Sequence, residues 1–243
     1  MGDSTVGWAR TNLGAGPLGS YAFLVEASLG HRPMTYLFAR STTTGGAGAA
    51  RAVTVLLVLG PAALAGTRVT TTEVHGAESA EVTTYLPTMR APKVITAAHV
   101  YECLPLTDVG YVDLMAWPHP PTRDLTPDDG VTPWSRWHDL PASTTRVSKA
   151  AHGYEVVETV SDVHGIPVAR STVHKGEETR RWEALELGAA EWDHLPVRIR
   201  VSRPRTGHWT AFERTTEPRP VPPELLTADS DTLREAVMCV LKG

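Results

Sequence analysis

Apolar and polar residues alternate along most of this chain with the period of two that a strand covered on one face requires. The segments YAFLVEASL (21–29), RPMTYLFAR (32–40), GTRVTTTEVH (66–75), AEVTTYLP (80–87) and PKVITAA (92–98) are rich in Thr, Val and Tyr, and Gly, Pro or Ser-Ala turns separate them. A second series follows at GYEVVETVS (153–161), IPVARSTVHK (166–175), TRRWEALELG (179–188), LPVRIRVSRP (195–204) and HWTAFERTTEP (208–218). Short links between consecutive strands predict antiparallel meanders. His164-Gly165 marks a hairpin turn in the second series.

One stretch departs from this rhythm. RAVTVLLVLGPAALAG (51–66) is an Arg, an apolar run and an Ala63-Leu64-Ala65 close, the local form of a secretory leader or part of a membrane span. A membrane helix needs about 20 apolar residues, and this run breaks at Gly60-Pro61. Read as a strand, it puts Val53, Val55, Leu57 and Leu59 on one side and Thr54, Leu56 and Val58 on the other. Both faces are apolar, so something must cover each of them. Burial of each Val or Leu is worth roughly 1.5–3 kcal/mol, more than any strand propensity. The stretch is predicted to be core.

Two further parts break the alternation. Residues 117–141 hold six prolines with Trp117, Trp134 and Trp137. Proline forbids a central strand and tryptophan is seldom left in disordered chain, so an ordered loop or lid is predicted. At 229–242, Leu233, Ala236, Val237, Val240 and Leu241 share one face at helical spacing, with Thr232 and Glu235 spaced as a capping box. An amphipathic helix on the sheet follows. The STTTGGAGAA piece (41–50) is a flexible loop between strands. The whole reads as one domain, 1–243, mainly β with few helices.

Lys and Arg number 23 and Asp and Glu 27, a net charge of −4 with both signs interspersed, so no basic field exists to hold nucleic acid. Cys103 and Cys239 lie far apart and read as buried free thiols. The opening MGDSTVGWAR lacks a basic leader start and an apolar stretch, which predicts a cytoplasmic protein with no stable membrane insertion. A start at Met34 would instead make 51–66 an export signal, at the cost of the strand at 21–29. GAGPLG (14–19) fits a dinucleotide fingerprint in letters only, since no strand precedes it and Pro17 spoils a helix start. The ten histidines form no zinc-binding pattern, so no metal and no cofactor is expected.

The order of elements resembles the LolA/LolB-type fold of outer-membrane lipoprotein-sorting proteins, shared by RseB-like regulators. The matching pieces are GPAALAGTRV (60–69), TTYLPTMRAPKVI (83–95), LPLTDVGYVDLM (104–115) and the closing LPVRIRVSRPRTGHWTAFERTTEPRPVPPELLT, so that the likeness covers roughly residues 21 to 227. It implies a curved, unclosed antiparallel β-barrel wrapped around helices and enclosing a hydrophobic cavity that accepts acyl chains or similar ligands. Sorting members work behind a signal peptide or lipobox Cys, and the sequence reading finds neither here.

The best polar constellation is Asp108, Tyr111 and Asp113, with His99 and Glu102 upstream. In one reading Asp108 caps a turn covering the barrel and Tyr111 packs inward. In the other, Asp108 or Glu102 is a general acid or base raised by an apolar wall, with Tyr111 as proton donor. Leu57, Tyr85, Met89, Met115, Trp117, Trp134 and Trp137 are the candidate lining of the ligand cavity. Two functions from different classes fit. The first is a cofactor-independent cyclase or isomerase that folds a polyketide-like natural-product substrate; the alternative is a non-catalytic lipid or lipoprotein carrier or sensor. The enzyme is favoured because a cytoplasmic location leaves a lipoprotein carrier without cargo. The expected partner is a hydrophobic small molecule, and the oligomeric state is open.

Overall fold

The computed structural model describes residues 19–29, 32–43, 49–104, 107–124, 143–149, 151–190 and 194–242. Strands β1 (Ser20–Leu29), β2 (Arg32–Thr43), β3 (Arg51–Gly60), β4 (Arg68–Val74), β5 (Glu81–Tyr85) and β6 (Lys93–Ile95) run as one antiparallel meander. A second comprises β7 (Arg123–Asp124), β8 (Ser143–Lys149), β9 (Tyr154–Ser161), β10 (Ile166–His174), β11 (Glu177–Leu187), β12 (Pro196–Arg203) and β13 (His208–Arg214). The meanders join where β1 pairs with β13, with Ala27 opposite Phe212, and the short β14 (Arg219–Pro220) also pairs with β1. The result is one 14-stranded sheet whose end strands, β6 and β7, do not meet, so it stays unclosed. Register shifts within β10 and β11 bend it, because an extra residue on one strand sharpens the local twist.

The two-faced apolar strand predicted at 51–66 is β3, held between β2 and β4 with Leu56 opposite both Phe38 and Val69. Its odd-numbered side chains, Val55 and Leu57, join Leu37, Leu233 and Val237 in a cluster under the C-terminal helix α1 (Ser230–Lys242). Its even-numbered ones, Leu56 and Val58, join the larger inner cluster with Phe23, Phe38, Trp182 and Phe212. Covering both faces satisfies the apolar pattern that made the stretch look like a leader.

Several local expectations are corrected. The cap of α1 is Asp229, whose carboxylate accepts the backbone N–H of Asp231 (3.0 Å) and Thr232 (2.9 Å) and the Thr232 hydroxyl (2.7 Å), so Thr232 serves the first turn rather than opening it. Leu233 and Val237 are buried as expected, but Val240 is exposed because the sheet meets only the centre of that face. Cys239 is exposed on the same helix and Cys103 is half-buried, so neither thiol is fully buried. The strand tryptophans Trp182 and Trp209 both read as core from the sequence, but only Trp182 is buried; Trp209 projects outward, since Thr210 and Phe212, in the opposite phase of β13, take the inward positions. Strand β8 went unpredicted: STTRVSK carries one apolar residue, Val147, which is buried opposite Val157. Residues 125–142, with Trp134, Trp137 and most of the expected lid, lie outside the described residues.

Candidate functional site

The inner face of the sheet is crossed by segment 96–120, in its described residues 96–104 and 107–120. Tight turns build it: the N–H of Glu102 donates to the carbonyl of His99 (3.0 Å), Leu104 N–H to Val109 O (2.7 Å), and Tyr111–Leu114 form a 3-10 turn. Its apolar residues, among them Val100, Leu104, Val112, Leu114 and Met115, belong to the inner cluster. Strands from both halves of the sheet, β2 to β5 on one side and β9 to β13 on the other, hold this one short segment. The sheet must therefore curve around it.

Charged side chains from the inner face grip the segment as well. Asp113, fully buried, accepts the N–H of Gly110 (2.8 Å) on Oδ2, forms an ion pair there with Arg180 Nε (2.9 Å), and has Arg170 3.5 Å from Oδ1. Arg180 also donates to Tyr101 O (2.7 Å), and Arg170 donates to Val112 O (3.1 Å) while pairing with Glu158. Burial alone would lower the pKa of Arg170; the carboxylates of Glu158 and Asp113 outweigh it and raise it. Gly110 lies so close to the Arg180 guanidinium that a Cβ would collide with it. Arg40 reaches from β2 to Leu114 O (2.7 Å) and to Thr54 Oγ1 (2.8 Å).

At the far end of the segment, Glu73 on β4 accepts from the backbone N–H of Ala116 (2.7 and 2.9 Å) and Trp117 (3.1 Å), and His119 Nε2 lies 3.2 Å from its Oε1. His119 Nδ1 is 2.7 Å from Ala77 O, and the Tyr101 hydroxyl donates to His119 O (3.0 Å). Burial pushes that hydroxyl up to about 12, against the pull of Arg170 and Arg180. Beside these residues is a recess of about 210 Å³ lined by Ala80, Ala97, Val100, Val112, Met115 and Pro120, with Glu78, His119 and His152 among its polar groups. A second, more polar recess of about 490 Å³ shares Tyr101 with the first and is bounded by His174, Glu177, Arg203 and Arg205. Tyr101, Tyr154 and His174 stack there at 4.6 and 4.3 Å.

The residues predicted from the sequence are spread over this arrangement. Met115 lines the apolar recess. Trp117 is buried beside Ala50 and Ala52, edge-on to His75 at 5.3 Å. Leu57 lies on the other face, under α1, and Tyr85 lines an open groove by the start of that helix, because both have the outward phase of their strands. Met89 is half-buried in the turn after β5. Asp108 is fully buried and engages Arg203 (2.9 Å), His208 (2.7 Å) and Thr210 (2.8 Å) on β12 and β13. Tyr111 accepts a hydrogen bond from Thr84 on β5 (3.3 Å), and Glu102 is exposed beside His99 (3.9 Å). Asp108 and Tyr111 are thus tied to opposite halves of the sheet, with Glu102 outside.

Sequence reasoning missed Arg40, Glu73, His119, Glu158, Arg170 and Arg180. A signal existed for most: each strand charge is in phase with the inward apolar residues, as Arg40 is with Phe38, Glu73 with Val69 and Arg180 with Trp182. Among the described residues no group of three or more His, Cys, Asp or Glu is placed to hold a metal ion. Among them, too, no helix is long and apolar enough to cross a membrane.

No protein-family model matches the chain, and no curated sequence does either. Solved structures do. A domain named for outer membrane lipoprotein sorting from Vibrio parahaemolyticus superposes with a TM-score of 0.65 at 13% identity, covering 86% of this chain and 89% of that one. A DUF1329 family protein from Desulfovibrio piger gives a TM-score of 0.57 at 15% identity over 82% and 84% of the two chains. A LolA superfamily protein from Nitrosomonas europaea gives 0.56 at 12% identity over 92% and 94%. The open antiparallel sheet curved around an apolar interior is therefore the LolA-type fold.

Proposed function

We propose that this protein is a carrier or sensor of lipid or lipoprotein, which takes an apolar chain such as an acyl group onto the inner face of its sheet beneath segment 96–120. The observation that carries the reading is the recess beside Met115: its walls are mostly apolar, and Val100, Val112 and Met115 belong at once to its lining and to the inner cluster. Water held there gains few hydrogen bonds, so an apolar guest displaces it favourably. At about 210 Å³ the recess is smaller than the roughly 300–1,000 Å³ of most ligand sites, so a long chain enters fully only if the segment moves. The likeness to a domain named for lipoprotein sorting agrees with this reading.

The cyclase or isomerase expected from the sequence has less support. Its candidate groups, Asp108, Tyr111 and Glu102, engage separate elements, and none of the three but its neighbours Tyr101 and Val112 lines the apolar recess. Titration of the full chain with palmitate, followed by tryptophan fluorescence and calorimetry, tests carriage. Saturable one-to-one binding that Ala97→Trp abolishes by closing the exposed mouth of the recess is expected. Absence of saturable binding, or binding indifferent to Ala97→Trp, overturns it.

A further inference from the structure

The two ring nitrogens of His119 face acceptors only. Nδ1 lies 2.7 Å from the carbonyl oxygen of Ala77 and Nε2 lies 3.2 Å from the Glu73 carboxylate. A carbonyl oxygen has no proton to give, and the Glu73 oxygens are already met by the N–H of Ala116 and Trp117 and by the Thr71 hydroxyl (3.3 Å). These partners assign a proton to both ring nitrogens, so the ring is an imidazolium buried against a carboxylate, with 2% and 0% of the two side chains exposed. We infer that the Glu73–His119 pair is a proton-operated clamp that pins the end of segment 96–120 over the apolar recess when His119 is charged and releases it when His119 is neutral.

The release follows from the geometry. When hydroxide or water removes one ring proton, the remaining proton satisfies either Ala77 O or Glu73, and the ring's lone pair points at the other acceptor. The clamp then repels one of its own partners. Because Glu73 also holds the N–H groups of Ala116 and Trp117, and because Met115, His119 and Pro120 line the recess, loosening the pair loosens the cover.

The surrounding charges set the direction. Just past the end of β4, His75 has its own pKa kept below the usual value by burial and by the nearby charge on His119. The connection after β4 supplies Glu78, which faces the ring across the recess together with His152 from the turn before β9. Tyr101 contributes only its hydroxyl, to the backbone of His119. Burial by itself pulls His119 down, but the Glu73 hydrogen bond, the Ala77 carbonyl and the charges of Glu73 and Glu78 more than offset it, so its pKa is raised. A raised histidine contributes fully below its unfolded value, about 6.5, and its contribution is lost as pH rises through the folded value. The clamp therefore opens toward alkaline pH.

This inference deepens the carrier reading and rests on it for its purpose, so the test separates the two. In the full-length protein, nitrogen-resolved spectra of the His119 ring are recorded against pH together with amide exchange at Ala116 and Trp117, corrected for intrinsic exchange. Both ring nitrogens protonated at pH 6.5 are expected. The opening constant should be flat below that pH, rise by up to about tenfold per pH unit until the folded pKa is passed, and then level off. His119→Gln should abolish the rise. Glu78→Gln, a change at an exposed position, should leave the onset of the rise in place but make it level off at lower pH, with a smaller total increase. A single neutral tautomer at pH 6.5, or opening that shows no slope with pH, overturns the clamp. Palmitate affinity that climbs over the same pH window supports gating, whereas palmitate bound equally well across the window overturns it and leaves carriage standing. A clamp that titrates as described in a protein that binds no palmitate supports the device and overturns the carrier reading alone.

Discussion

On the outer face of the sheet, α1 sets Leu233 and Val237 into one apolar cluster with Leu37, Val55 and Leu57. On the inner face, Val112, Leu114 and Met115 do the same with Phe38, Leu56 and Val58, but Arg40, Glu73, Arg170 and Arg180 are buried among them and hold the covering segment by its backbone and by the buried Asp113. Apolar burial is non-directional and indifferent to pH. Buried charges contribute little net stability once desolvation is counted, yet any arrangement that leaves one unpaired is strongly disfavoured. The outer cover is thus closed by area and the inner cover by pairing. A cover held by pairing can be released by changing one charge, and the proposed carriage would use this difference between a permanent wall and a movable one.

The comparison can be broken at several points. Arg180→Ala leaves Asp113 with only the more distant Arg170 as a cation and removes the donor to Tyr101 O; a loss of about 3–5 kcal/mol in urea unfolding is expected. A cost below about 1 kcal/mol would mean that the inner contact is apolar in effect, like the outer one. Leu233→Ala should cost about 2–5 kcal/mol through the cavity it leaves under α1, without changing amide exchange at Ala116 and Trp117. The Arg180→Ala/Leu233→Ala double variant should be additive within about 0.5 kcal/mol, as the two residues share no partner; larger coupling would show that the faces do not act independently. Gly110→Ala forces a methyl group against the Arg180 guanidinium and should cost about 1–3 kcal/mol by thermal unfolding.

The smallest effect is expected from Asp229→Ala, read as a slight loss of helical circular dichroism and a small drop in Tm. The backbone N–H and hydroxyl of Thr232 hold the Asp229 carboxyl below the usual carboxylate range. A depressed carboxyl contributes above its unfolded value and loses that contribution as pH falls through the folded one. The difference between the native protein and Asp229→Ala should therefore vanish in acid.

The period of two made most strands legible, though not β8 with its single apolar residue, and β3 was legible as a doubly covered strand because both of its phases are apolar. What the period does not carry is which phase faces inward. Leu57 and Met115 are equally apolar on paper, yet one lies under a helix and the other beside the recess. The Asp108–Asp113 stretch stood out as polar chemistry, but its partners lie on distant strands: Arg203, His208 and Thr210 for Asp108, Arg170 and Arg180 for Asp113. No local spacing announces such pairs. Glu73 and His119 are 46 residues apart and read separately as a strand charge and a loop histidine.

Alternation, turn residues and the absence of a long apolar helical run belong to the sequence itself, since they express local geometry and the cost of leaving oily side chains in water. They sufficed for antiparallel meanders with a helix on one side; that the sheet is curved and unclosed was implied by the resemblance to the LolA-type fold. Which charges meet was decided only when the sheet curved, because an ion pair or hydrogen bond acts over about 3 Å and its partners come within that reach only through the closure of strands far apart in the chain.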